Sequence, residues 1–232
     1  MNNAFCNYIK EYSINDAWRS VMWLCLKKGY DYKVEAGSYV GQIRKQLPYV
    51  CIRIKEPWKR PLAPIVPPNV PAPTSDDKIG DYFANYLMDD ALAKNEQYRY
   101  SSFIVPQIET VIKKLIDSNG NTNQATISIG DKESIKLSDP PCLRLIDFKV
   151  VNGKLNMSVF FRSWDLVAGL PENLGGLQLL KEYVLNSLTD SNIPPLNYIK
   201  NLNDGELICY SSGLHIYEQY NEIAKMLNII EE

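Results

Sequence analysis

Two alternating apolar runs, residues 143–151 and 155–161, meet at Asn152-Gly153, and this junction constrains the fold more than any other part of the chain. Asparagine and glycine accept the positive φ angles that a two-residue hairpin turn requires, so the runs should pair as antiparallel strands. Pro140-Pro141-Cys142 leads into the first strand, and Arg162-Ser163-Trp164-Asp165 follows the second. Pairing therefore sets a cysteine beside an arginine. A guanidinium near a thiol favours its anion, and the thiolate is the nucleophilic form.

Around the hairpin, the periodicity predicts a mixture of elements. Residues 14–28 read as an amphipathic helix, with Trp18, Val21, Met22 and Cys25 at helical spacing and Gly29 as its stop. Helices are also expected over 76–92, over 106–117 with a proline in the first turn, over 173–188 as the longest, and from 213 onward. Residues 49–54, 125–129 and 206–211 read as strands. Half of the 14 prolines fall within 57–73, PWKRPLAPIVPPNVPAP, which excludes regular helix or central strand there. That stretch reads as an extended surface connector in preference to a loop over a substrate. Without a second core beyond it, residues 1–232 are expected to form one domain. Strands and helices intermix without βαβ alternation, so the expected class is α+β: a large mixed β-sheet flanked by helices.

Composition narrows the function classes. A chain that is 45% hydrophobic and 22% charged suits a compact globular fold, and a net charge of -2 gives no support to non-specific nucleic-acid binding. No apolar run is long enough to cross a bilayer, and MNNAFCNYIKEYS lacks the features of a secretory leader, so no membrane partner and a cytoplasmic location are expected. Five cysteines without CxxC spacing or clustered histidines argue against a disulfide framework or a metal site.

Pro141-Cys142, Arg162-Ser163-Trp164-Asp165, Gly169-Leu170-Pro171-Glu172-Asn173 and His215-Ile216-Tyr217, taken in this order, resemble the thymidylate synthase family, which includes the pyrimidine nucleotide hydroxymethylases. The resemblance runs from about residue 107 to 220. PPCLRL, RSWDL, NLGGLQLLKEY and SSGLHIY look most like short archaeal, methanogen-type members. It implies a thymidylate synthase-like fold and a homodimer packed sheet face to sheet face, with Leu155, Met157, Val159 and Phe161 supplying an apolar face. It also implies reductive methylation of dUMP to dTMP. The one-carbon and hydride donor would be methylene-tetrahydromethanopterin or 5,10-methylene-tetrahydrofolate.

The resemblance also assigns roles. Cys142 would add to C6 of the uracil ring, and Arg162 would bind the phosphate and favour the thiolate. Ser163 would donate to the same phosphate. Asp165, with Gly169, would face the pterin and order water near the ring, a helix cap being the rival reading of Asp165. Asn173 would choose the base, because an amide can donate to O4 while accepting from N3–H, and a helix N-cap is its rival reading. His215, the only histidine, and Tyr217 would share one side of a strand and reach the ribose 3'-hydroxyl. Leu143, where members often carry histidine, would point away from the site.

The phosphate site and the general base also depart from the family pattern. Asn123 and Gln124 stand where most members carry an arginine pair donated across the dimer to the phosphate, and Arg44 or Lys45 in GQIRKQL could replace the charge. For the general base, Asp81 in DDKIGDYFANYLMDD is the positional candidate, against a plain solvated carboxylate, while Tyr100 matches a tyrosine involved in removing the C5 proton. The alternative functions are a dCMP or CMP hydroxymethylase, in which water replaces hydride, and a non-catalytic nucleotide-binding relative.

Overall fold

The computed structural model describes residues 6–36, 39–89, 91, 97–190, 199 and 201–227. The hairpin forms as its turn residues demand: β6 (Leu143–Val151) and β7 (Lys154–Phe161) pair antiparallel, with φ at 52° for Asn152 and 69° for Gly153. Four further strands extend them into a sheet of six among the described residues, ordered β1-β4-β9-β7-β6-β5. These are β1 (Asn7–Glu11), β4 (Val50–Ile54), β5 (Thr126–Ser128) and β9 (Asn203–Ser211). Pairing is mixed, with β1 parallel to β4, β7 parallel to β9, and the remaining pairs antiparallel.

A second sheet carries much of the site. It joins β2 (Tyr30–Lys33), β3 (Ile43–Leu47), β10 (Leu214–Tyr217) and β8 (Trp164–Asp165) in the order β2-β3-β10-β8. The expectation of a helix from 213 onward is not met. Instead, β10 is clamped between β3 and β8, and the last helix, α5 (Asn221–Leu227), begins only after Tyr220. Strand pairing over long sequence separation overrode a weak local signal.

The helices cover one face of the large sheet. α1 (Ile14–Lys28) starts with a capping box between Ser13 and Asp16 and buries Trp18, Val21, Met22 and Cys25, as the spacing implied. The Trp18 indole donates to the carbonyl of Leu166 at 2.9 Å, tying α1 to the segment that carries the site. α2 (Asp76–Tyr82) passes into a π-helical turn over Phe83–Met88; of the rest of the expected helix 76–92, Asp89 and Ala91 are not helical, and 90 and 92 lie outside the described residues. α3 (Ser101–Asp117) begins five residues before the expected start, so Pro106 lies inside it; burial of Ile104, Ile108, Val111 and Leu115 holds the helix despite the proline.

α4 (Gly169–Thr189) also starts earlier than the expected 173. The Asp165 carboxylate accepts from the backbone N–H groups of Val167, at 3.0 Å, and Gly169, at 3.2 Å, satisfying donors that would otherwise be orphaned at the helix start. The 57–73 segment is strapped across the helices by Ala63 N–H to Asp76, Ile65 N–H to Asn15, and Arg60 to Glu182. Among the described residues, no helix is long and apolar enough to cross a membrane.

One expectation about the sheet is overturned. Leu155, Met157 and Val159 are 0% exposed and Phe161 is 1% exposed, all within the helix-covered core, so they cannot supply an outer face. Side chains alternate along a strand, and the outward residues of β7 are Asn156, Ser158 and Phe160. The outer face instead carries Tyr8, Phe160 and Tyr210, at 58%, 37% and 45% exposure, around a two-pronged ion pair from Arg53 to Glu206.

Candidate active site

Cys142 and Arg162 face each other across the open end of the hairpin. The Arg162 backbone N–H donates to the Cys142 carbonyl at 2.9 Å, and Leu143 pairs with Phe161 immediately beyond. The Arg162 side chain turns back over the approach to the cysteine. Its Nε donates to the Pro141 carbonyl at 3.1 Å, and its Nη2 reaches the Pro140 carbonyl and, at 3.4 Å, Asp139. The guanidinium thus fixes the Pro-Pro turn that presents the thiol.

The electrostatics of the thiol differ from the simple expectation. Burial pushes the Cys142 thiol above its ordinary pKa; Arg162 opposes the rise, Asp139 adds to it, and Arg44 opposes it again. Two guanidinium groups moderate a desolvation penalty larger than their own effect. Tyr100 is buried beside the cysteine, its hydroxyl oxygen accepting from the Leu143 N–H at 3.2 Å, and burial holds its pKa well above the usual phenol value. Tyr98 packs against Tyr100, ring centroids 5.9 Å apart, and is close enough for Cys142, Asp139 and Arg162 to perturb it.

The second sheet supplies the opposite wall. His215 pairs with Asp165 of β8, while Arg44 pairs with Tyr217 across β3 and β10. The His215 and Tyr217 rings meet edge to face at 4.8 Å, so they share a side of β10. His215 Nδ1 lies 3.1 Å from the Gly213 carbonyl, which must accept, so Nδ1 carries the proton and Nε2 is left as an acceptor. Nε2 is buried without a hydrogen-bond partner among the described residues. Burial lowers the His215 pKa to about 4; the Gly213 contact opposes this and Arg44 adds to it. The ring is therefore neutral at physiological pH.

Arg44 joins the two walls. Its guanidinium lies 4.6 Å above the Tyr217 ring centroid, and its Nε is buried with no hydrogen-bond partner among the described residues. Its charge reaches Cys142, Asp165, His215 and Tyr217 alike. A buried cationic donor without an acceptor is costly, which makes this position suited to an anion. Burial raises the Asp165 pKa against the N–H groups it caps, and raises that of Tyr217 to about 12. Ser163 is half-buried where β7 passes into β8, next to Arg162.

Asn173 lies one turn into α4, whose N-cap position is Ala168, so its side chain is not spent on capping. Its Oδ1 accepts from the Trp164 indole N–H at 2.9 Å. Tyr82 of α2 is half-buried beside it with its hydroxyl oxygen buried, and Asn173 is among the groups that perturb its phenol. Trp164, Tyr82 and Tyr98 were not singled out in the sequence; only Trp164 carried a signal, as the variable position inside the Arg-Ser-x-Asp motif.

Three expected residues are not brought to the cysteine within one chain. Asn123 and Gln124 precede β5, and their amide oxygens accept from Lys149 and Lys114. Lys149 is seven residues along β6 from Cys142, roughly 23 Å at strand spacing. Asp81 is exposed on α2, while its neighbour Tyr82 is the residue turned inward. No cluster of three metal-ligating side chains occurs among the described residues. Beyond Asp165, a cavity of about 180 Å³ opens between Pro71–Pro73, Val167, Ala168 and the α5 residues Ile223 and Leu227.

The chain belongs to the thymidylate synthase family: residues 91–229 match the profile of that family. The "Putative thymidylate synthase" of Methanosarcina acetivorans is 29% identical over 184 residues, covering 76% of this chain and 79% of its own. The protein of the same description from Methanococcoides burtonii is 25% identical over 237 residues, 98% of each chain. The "Thymidylate synthase" of varicella-zoster virus is 31% identical over 134 residues, 57% of this chain and 40% of its own.

Proposed function

We propose that this protein is a homodimeric thymidylate synthase that methylates dUMP reductively. The observation that carries the reading is the cross-strand pairing of Cys142 with Arg162, with a second guanidinium, from Arg44, whose buried Nε has no hydrogen-bond partner among the described residues and whose charge reaches the same thiol. Sulfur adds to C6 of the ring, and the electron pair released at C5 attacks the methylene carbon of the donor. Loss of the C5 proton and of the donor amine leaves an exocyclic methylene. Hydride from the reduced pterin then completes the methyl group as the C6–sulfur bond breaks and the thiolate departs.

Arg44 and Arg162 take the phosphate, with Ser163 donating beside them. This use of Arg44 accounts for a buried Nε that otherwise has no acceptor. His215 Nε2 accepts from the ribose 3'-hydroxyl, with Tyr217 alongside, and Asn173 reads the base. Tyr100, hydrogen-bonded next to the cysteine, is better placed than the exposed Asp81 to act at the C5 proton. The pterin enters beside Asp165 and Gly169. The cavity there is smaller than the roughly 300–1,000 Å³ of pockets that bury whole ligands, so it would hold only part of the cosubstrate. The second subunit would pack on the outer face bearing Tyr8, Phe160 and Tyr210, and Asn123 and Gln124 would act across that contact.

Release of the C5 hydrogen of dUMP to solvent tests the reading. Wild-type protein should exchange it, and Cys142→Ser should not, while nucleotide binding stays nearly unchanged. Equal exchange by both would refute covalent activation by Cys142. Running the reaction with methylene-tetrahydromethanopterin and with methylene-tetrahydrofolate separates the donors, faster dTMP formation being expected with the methanopterin. Accumulation of a 5-hydroxymethyl product would identify a hydroxymethylase.

A further inference from the structure

An amide by itself does not tell uracil from cytosine. In one orientation Asn173 donates to uracil O4 and accepts from N3–H. Rotated by half a turn about its last torsion, it accepts from the cytosine amine and donates to N3 with equal geometry. Whatever fixes the amide therefore fixes the base. The Trp164 indole nitrogen lies 2.9 Å from Asn173 Oδ1, and an indole N–H can only donate. Rotation would turn the amide NH2 toward that N–H, donor against donor, at a residue that is 2% exposed and out of reach of bulk water.

The indole is itself immobilised. It stacks on Phe161 with ring centroids 3.9 Å apart and planes 6° from parallel. Its backbone N–H donates to the Gly213 carbonyl at 3.0 Å, the same carbonyl that faces His215 Nδ1. Tyr82, a further polar neighbour of the amide, offers a hydroxyl that can donate or accept, so it tolerates both orientations. Among the described residues, the hydrogen bond that distinguishes them is the one from Trp164.

We propose that Trp164 is the specificity-determining positioning residue of the site: its indole N–H locks the Asn173 amide in the uracil-reading orientation and so excludes cytosine nucleotides. The inference rests on the reading of Asn173 as the base-contacting residue. It differs from that reading in placing the choice of base outside the side chain that touches it.

The test is the ratio of dissociation constants for dUMP and dCMP, measured by calorimetry on the full chain. Trp164→Phe keeps an aromatic ring on Phe161 and removes the donor. Replacing Trp164 with 3-benzothienylalanine keeps the whole bicycle and removes only the N–H, which covers the case in which the phenylalanine variant does not fold. In both, the preference for dUMP should fall by about tenfold or more, with dCMP binding gaining in absolute terms. An unchanged ratio, or equal weakening of both nucleotides, would reduce Trp164 to a packing residue and overturn the proposal. Asn173→Ala separates this failure from that of the underlying reading. If it abolishes the preference while the Trp164 variants retain it, only the lock is wrong; if it leaves the preference intact, Asn173 does not contact the base and both ideas fall.

Discussion

At the scale of single residues, the site is governed by desolvation more than by charge pairing. The arginine beside Cys142 was expected to favour the thiolate, and it does, yet burial outweighs it and the thiol sits above its ordinary pKa. His215 offers a cleaner measurement. Its pKa falls from 6.5 to about 4 in the folded chain, so the unfolded chain takes up a proton first as the solution is acidified. Stability present at neutral pH is therefore lost as pH drops through the window between those values. The full shift corresponds to about 3 kcal/mol. Urea denaturation of wild type and His215→Gln should show the gap between them narrowing by about that amount from pH 7 down to pH 4. A gap that does not change with pH would mean that the imidazole remains solvated.

At the scale of elements, α2 and α4 meet through two glycines that allow close approach. A Cβ built on Gly175 would lie 2.8 Å from Ile79, and one on Gly176 would lie 2.4 Å from the Tyr82 ring. Gly176→Ala should thus destabilise by about 1–2 kcal/mol, because the cost of overpacking exceeds the gain in helix propensity. It should also weaken dUMP binding, since Tyr82 is pushed against Asn173. A thermal melt showing stabilisation would mean that the ring moves aside freely. The Gly-Gly pair was visible in NLGGLQLLKEY, but its meaning was not, because close approach needs a partner and the partner comes from a helix 94 positions earlier in the numbering of Tyr82 and Gly176. The same α4 is anchored farther along by Lys181, fully buried and paired with Asp204 at 2.8 Å.

At the scale of the whole molecule, the large sheet is unevenly finished. Its inner face is closed by α1, α3 and α4, while its outer face leaves three aromatic rings in water around Arg53 and Glu206. The second subunit proposed above would cover this face. If two copies pack there, sedimentation should report twice the 26.5 kDa chain mass, and Phe160→Asp combined with Tyr210→Asp should reduce it to one chain. A wild-type protein already monomeric at micromolar concentration would remove both the homodimer and any cross-subunit role for Asn123 and Gln124.

The sequence by itself determined the hairpin, through Asn152-Gly153, and with it the apposition of Cys142 and Arg162. It also determined α1, the α+β class and the family, because each rests on local periodicity, turn chemistry or a short ordered motif. Tertiary structure alone decided which face of β7 is inside, since period-two alternation names two faces without saying which one the helices will cover. It alone turned the Arg44 segment into a strand that buries the Arg44 Nε without a hydrogen-bond partner among the described residues, and set the Trp164 indole against Asn173. Those contacts join residues on separate elements, and their energies depend on burial and on the partner each polar atom finds, neither of which a single segment encodes.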